Sequence, residues 1–205
     1  PKKMGIDLMS ISGHKIHGPK GIAVLYVDDR VKLRPTLFGG GQQQGIRSGT
    51  ENVPGIAGIG LAAKILSATK QDDVARLYEL KTFFTEGLRE IPGVNVHGIP
   101  TDANGEPDIF ATAPHIVSAG FSGLSKAEVL LHALEERGIF VSSGSACASN
   151  KPAVSATLKA MGIAKEYLEA TLRFSFSVQT TKEDLIETLD ALRALYPALS
   201  RFSRR

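Results

Sequence analysis

Ser12-Gly13-His14-Lys15-Ile16-His17-Gly18-Pro19-Lys20-Gly21 runs directly into Ile22-Ala23-Val24-Leu25-Tyr26-Val27, and this pairing of a glycine-punctuated turn with a β-branched run decides how the chain is read. Gly21 and Asp28-Asp29 bound the run, which predicts a short buried strand, with Lys15 on the loop that feeds it. A lysine that bonds a cofactor must stand on rigid backbone, because the reactive carbon has to be held within bonding distance. Ser12, His14 and the neighbouring glycines offer hydroxyl, imidazole and closely approaching amides, the groups that bind a phosphate. On local composition alone, Lys15 and Lys20 read equally as surface lysines, and His14 as a packed loop histidine.

A second stretch carries reactive chemistry. Cys147 is the only cysteine, and it sits in the small-residue run Ser142-Ser143-Gly144-Ser145-Ala146-Cys147-Ala148-Ser149. A lone thiol on such a loop has no internal disulfide partner and reads as a nucleophile, against the alternative of a structural thiol. Arg173 lies within the strand-like run Leu172-Arg173-Phe174-Ser175-Phe176-Ser177-Val178. A buried guanidinium there needs a partner, and a bidentate pair with an amino-acid α-carboxylate would supply it; the alternative is a strand residue that faces outward. Phe38-Gly39-Gly40-Gly41-Gln42-Gln43-Gln44-Gly45 is too glycine-rich for a regular element and leads into Arg47-Ser48-Gly49-Thr50. Thr50 offers a hydroxyl to an anion, or simply caps the helix that follows. The five histidines and one cysteine make no metal-ligand spacing, and no metal is expected. His115 or His132 could serve a thiol-protease arrangement, but that reading leaves the Lys15 turn and Arg173 without a task.

Around these segments the periodicity alternates between strand and helix. Val74, Leu77, Leu80, Phe83 or Phe84, Leu88 and Ile91 mark a helix that Pro92-Gly93 ends. Pro54, Gly55, Gly58 and Gly60 weaken the helical pattern from Val53 to Ile65. Val94–His97, His115–Phe121 and Ile139–Val141 read as strands, the last delivering the Cys147 loop. Helices are expected from Ser125, from Val154 to Met161, and from Thr181 onward. The fold class is α/β, with residues 1–65 forming one domain and residues 66–205 a smaller α+β domain. Met4–Ile11 already reads as an element entering a core, so the chain is expected to begin mid-fold.

Composition narrows the function. At 205 residues and 42% hydrophobic content the chain can bury a core. The 24 Lys and Arg against 21 Asp and Glu give +3, partly from the tail, with no basic stripe to suggest nucleic-acid binding. No apolar run is long enough for a bilayer and no leader opens the chain, so a soluble protein without a membrane is expected. The single cysteine suits a reducing compartment, and the expected location is cytoplasmic.

Taken together, the segments from Ser12 to Lys15 and Gly18 to Gly21, Gly39 to Thr50, Ser142 to Cys147, and Leu172 to Ser175 resemble the cysteine desulfurases. These are pyridoxal 5'-phosphate enzymes of the NifS/IscS kind within the class V aminotransferase group. The resemblance implies a pyridoxal-phosphate-dependent transferase of fold type I. Residues 1–65 would be the end of the large cofactor domain and residues 66–205 the small domain. By that resemblance Lys15 carries the cofactor and shuttles a proton, and Ser12 and His14 hold its phosphate. Thr50 would reach the phosphate in the partner subunit of a homodimer. Arg173 would grip the substrate carboxylate. Cys147 would take sulfur from L-cysteine as a persulfide, leaving L-alanine, and pass it to sulfur-acceptor proteins such as an iron-sulfur scaffold or a tRNA thiolation enzyme.

The likeness departs at Gln43 and Gln44, where the family usually has a glutamate and often an arginine. Family members are also longer, and the part that would precede Pro1 normally brings the histidine stacked on the cofactor ring and the aspartate on its pyridine nitrogen. The chain therefore reads as the C-terminal half of a desulfurase, inactive alone, with exposed apolar surface that favours association. The alternatives are a selenocysteine lyase and a non-catalytic docking module.

Overall fold

The computed structural model describes residues 1–143 and 155–202. The chain divides into two compact units, Pro1–Lys70 and Gln71–Arg205.

In the first unit, β1 (Leu8–Ser12) and β2 (Ala23–Val27) form an antiparallel ribbon, with Leu8 opposite Val27 and Ser12 opposite Ala23. Asp28 closes the ribbon. Its buried carboxylate accepts from Arg30 Nε at 2.7 Å, from Arg30 N at 3.1 Å and from the Tyr26 hydroxyl at 3.4 Å. The expected burial of the strand does not occur, for Val24 and Leu25 are 45% and 54% exposed. A ribbon of two strands has too few neighbours to cover both of its faces.

The helix α1 (Val53–Arg89) is continuous through the stretch whose proline and glycines weakened the sequence pattern. Pro54 falls in its first turn, where a missing N–H interrupts no helical bond. Gly58 is required by packing, because a Cβ there would lie 2.5 Å from Pro19 Cγ. In the first unit this helix buries Ile59 and Ala62 and leaves Leu61, Ile65 and Leu66 exposed.

The second unit is built on an antiparallel sheet in the order β3 (Val94–His97), β4 (Ile116–Phe121), β6 (Thr171–Ser175), β5 (Ser142–Ser143). Leu77, Leu80, Phe84 and Leu88 of α1 pack one face, together with α2 (Ala127–Glu135) and α5 (Lys182–Phe202). Phe84 is fully buried and meets Phe174 and Phe176 edge-on at 5.0 and 5.6 Å. A capping box starts α5: Thr181 N donates to Asp184 Oδ2 at 2.8 Å, and Asp184 N to Thr181 Oγ1 at 3.2 Å.

The strand expected at Ile139–Val141 is displaced to Ser142–Ser143. Gly138, at φ 76°, and Ile139 close the end of α2 by donating to Glu135 O and Leu134 O. The chain is thus still completing a helix where the apolar run suggested pairing.

Two polar pins hold irregular segments to α1. Lys81, 3% exposed, donates from Nζ to Thr112 Oγ1 at 2.5 Å and to Ala113 O at 2.7 Å, and burial lowers its pKa. Arg76 donates to Val178 O and Thr180 O at 2.7 and 2.6 Å.

On the other face of the sheet, the short helices α3 (Ala156–Ala160) and α4 (Lys165–Leu168) precede β6. Tyr167 of α4 packs its ring on His97 at 5.6 Å. Gly120 makes room for both, since a Cβ there would lie 2.6 Å from His97 Nε2 and from Tyr167 Cδ1. Thr171 Oγ1 donates to Tyr167 O at 2.6 Å, so it accepts from His97 Nε2 at 3.3 Å, which assigns the His97 proton to Nε2.

Burial lowers the His97 pKa from 6.5. The unfolded chain therefore binds the proton first as pH falls, and the stability His97 contributes above about pH 6.5 is lost as pH drops through the lower, folded value. Urea denaturation at about pH 7.5 and about pH 5.5 should show this loss in the native chain, and a smaller one in His97→Gln.

Candidate active site

The first group of candidate residues comes from one turn. Ser12 ends β1, and the turn of 3-10 helix Gly13–Ile16 that follows presents His14 and Lys15 to solvent, with Ser12 half-buried behind them. The turn is locked at both ends, with Gly13 N donating to Ile22 O and Gly18 N to Gly13 O, each at 2.9 Å. His17 takes a left-handed conformation at φ 63° to leave it. Gly13 is buried, and a Cβ would sit 3.0 Å from Ile22 Cγ2 and 3.1 Å from the carbonyls of Ile22 and Pro19. The backbone that bears Lys15 is thus tightly packed from beneath, while the side chain itself is free to engage a ligand.

Thr50 lies in a separate loop of the same unit. Gly49 N donates to Gln42 Oε1 and Ser48 Oγ donates to Leu37 O, each at 3.2 Å, which folds the glycine-rich segment back on itself. Gln43 and Gln44 are left-handed at φ 50° and 58°, a conformation that costs non-glycine residues free energy. Thr50 does not cap α1. Asn52 does, its Oδ1 accepting from Gly55 N at 3.1 Å, which leaves the exposed Thr50 hydroxyl uncommitted.

Arg173 belongs to the second unit. It is half-buried on β6, directly opposite Ser118 of β4 and Ser142 of β5. Period-two alternation sends Leu172 and Phe174 into the core and Arg173 to the other face. Its Nε is buried without a hydrogen-bond partner, and no carboxylate pairs with the guanidinium among the described residues. A guanidinium so placed can pair with an anion that the described residues do not provide.

Cys147 lies outside the described residues; of its segment, Ser142 and Ser143 are described, paired with Arg173 and Leu172. Sequence reading did not single out Ser118 or the pairing of Ser142 with Arg173. Ser118 was signalled only as a polar residue in an apolar strand, and cross-strand register has no local signature. Two surface depressions, one lined by Lys2, Met4, Tyr26 and Asp29 and the other by Gly93, Ser122, Tyr196 and Pro197, contain none of these candidates. Among the described residues, no cluster of His, Cys, Asp or Glu could hold a metal, and no helix is long and apolar enough to cross a membrane.

Residues 1–188 match the family model for class-V aminotransferases, and the chain belongs to that family. It is 36% identical over 202 residues to a cysteine desulfurase IscS of Methanosarcina thermophila, covering 98% of this chain and 48% of the relative. A cysteine desulfurase of a Nostoc species is 39% identical over 204 residues, covering 96% and 48%. The solved structure of a NifS-like protein from Rickettsia africae matches with a TM-score of 0.76 at 30% identity, covering 96% of this chain and 49% of the other. The α/β fold is thus shared with NifS-like proteins, and the chain spans about half the length of the curated relatives it matches.

The capping assignment has a direct check. Asn52→Ala should cost about 1 kcal/mol and speed amide exchange in the first turn of α1, whereas Thr50→Ala should leave that turn unchanged.

Proposed function

We propose that the chain carries working parts of a pyridoxal-phosphate-dependent cysteine desulfurase. The observation that supports this most is the Arg173 guanidinium, half-buried, without an acid partner among the described residues, and paired through its strand to the segment that leads to the only cysteine in the chain.

The residues present fit the cofactor. Ser12 and His14 offer a hydroxyl and an imidazole on one tight turn for a phosphate, with the Lys15 amine one residue further on. Thr50, uncommitted to capping, offers a further hydroxyl, which on this reading serves the phosphate in the partner subunit of a homodimer. Pyridoxal phosphate, when bound, supplies an electron sink that makes the bond between the substrate's β-carbon and sulfur labile.

The protein's own groups divide the remaining work. Arg173 binds the α-carboxylate of L-cysteine through a charge-assisted, forked pair of hydrogen bonds and so orients the amino acid. Lys15 holds the cofactor through its amine and moves a proton at the substrate's α-carbon. The Cys147 thiolate forms a bond to the substrate sulfur as the carbon-sulfur bond breaks. The electron pair of that bond remains with carbon, which takes up a proton to give L-alanine, while Cys147 keeps the sulfur as a persulfide. Transfer of the persulfide sulfur to acceptor proteins completes the reaction, and the cytoplasm is the proposed location.

In the protein produced from its natural gene, borohydride reduction after loading with pyridoxal phosphate should mark Lys15, as read by peptide mass spectrometry. Lys15→Ala and Cys147→Ser should each lower alanine release from L-cysteine by about a hundredfold or more. Label spread over other lysines, or turnover undiminished in Cys147→Ser, would overturn the assignment.

A further inference from the structure

Arg173 stands in a transverse row of the sheet. Ser118 is its direct partner on β4 and Ser142 its direct partner on β5, so three polar side chains on adjacent strands point to the same face. Neighbouring strands are about 4.8 Å apart, which brings both serines within reach of the root of the arginine. Both serines are half-buried, and neither hydroxyl has a hydrogen-bond partner among the described residues. The Nε of Arg173 is buried and also unpaired.

Each of these facts constrains the others. A guanidinium can take a carboxylate side-on, through Nε and one terminal nitrogen, or end-on, through the two terminal nitrogens. Burial of Nε closes the side-on approach, so an incoming carboxylate meets the terminal nitrogens. The Nε–H then needs an acceptor from the protein, because a buried donor left unpaired is costly, and more so on a charged group. A serine hydroxyl accepts as readily as it donates, and it reaches new partners by rotation about one bond.

We propose that Ser118 and Ser142 are positioning residues for Arg173, one of the two hydroxyls accepting its Nε–H when a substrate carboxylate is held end-on. The proposal rests on the reading of Arg173 as the carboxylate-binding residue. In this role the serines touch no substrate. They fix the plane of the fork, which sets the orientation of the bound amino acid and favours planar carboxylates over larger anions.

The test uses the protein from its natural gene, titrated with L-alanine, and follows both the affinity and the side-chain Nε–H signal of Arg173 by nitrogen-edited proton NMR. In the native protein that proton should become protected from exchange as L-alanine saturates. Ser118→Ala combined with Ser142→Ala should weaken L-alanine binding about tenfold and leave the Nε–H unprotected. Ser118→Thr combined with Ser142→Thr, which keeps both hydroxyls, should restore affinity and protection. A purely packing role would not restore the protected signal in this way. Should the double alanine variant fold poorly, the single alanine variants read the same two signals, with the loss concentrated at the serine that accepts. Native affinity and a protected Nε–H in the double alanine variant, with binding still abolished by Arg173→Lys, would overturn the proposal and leave the carboxylate reading intact. Absence of any binding that depends on Arg173 would remove both.

Discussion

Strand β6 is required to do opposite things on alternate residues, and the second unit is arranged around that demand. Leu172 and Phe174 must be dry, and they complete the core beneath α1, α2 and α5. Thr171 and Arg173, one step out of phase, must meet polar partners on the other face. Pairing with β4 on one side and β5 on the other enforces this, because a slip of one residue would put a guanidinium into the core and a phenylalanine among the serines. The cost of that error fixes the register, and the register in turn fixes which residues surround the arginine.

The first unit applies a different constraint. Three of its candidate residues, Ser12, His14 and Lys15, come from the end of β1 and the one turn that follows it, held by close packing under Gly13. Rigid backbone with an exposed lysine is a useful combination, since the entropy of the loop is lost on folding and need not be lost on binding. The glycine-rich loop before α1 achieves order otherwise, through side chains that fold back on its own amides and carbonyls.

Much of this was legible in the residues. The helical spacing from Val74 to Leu88, the strand at Val94–His97 and the start of the last helix at Thr181 all follow from local rules, and the structure has them. What failed did so where a distant partner or a competing local rule decided the outcome. The glycines and proline before Ile65 suggested a broken helix, because local propensity cannot see Pro19 packed against Gly58. Ile139–Val141 looked like a strand, because β-propensity is blind to the helix closure at Gly138. Thr50 and Asn52 are both good caps by type, and only geometry chooses between them. At the site, the residue types of the Lys15 turn and of Arg173 could be named from the chain alone. The serine neighbours of Arg173 could not, since they are set by pairing across 31 and 55 positions.

The same helix closure delays β5, of which two described residues, Ser142 and Ser143, lie at the margin of the sheet. A long, flat margin would offer a row of unsatisfied amides and carbonyls to any other extended chain, and so invite sheets of separate molecules to join. Two residues present too short a template for such joining. Over the described residues, the shortness of this margin therefore disfavours self-templated aggregation beside Arg173.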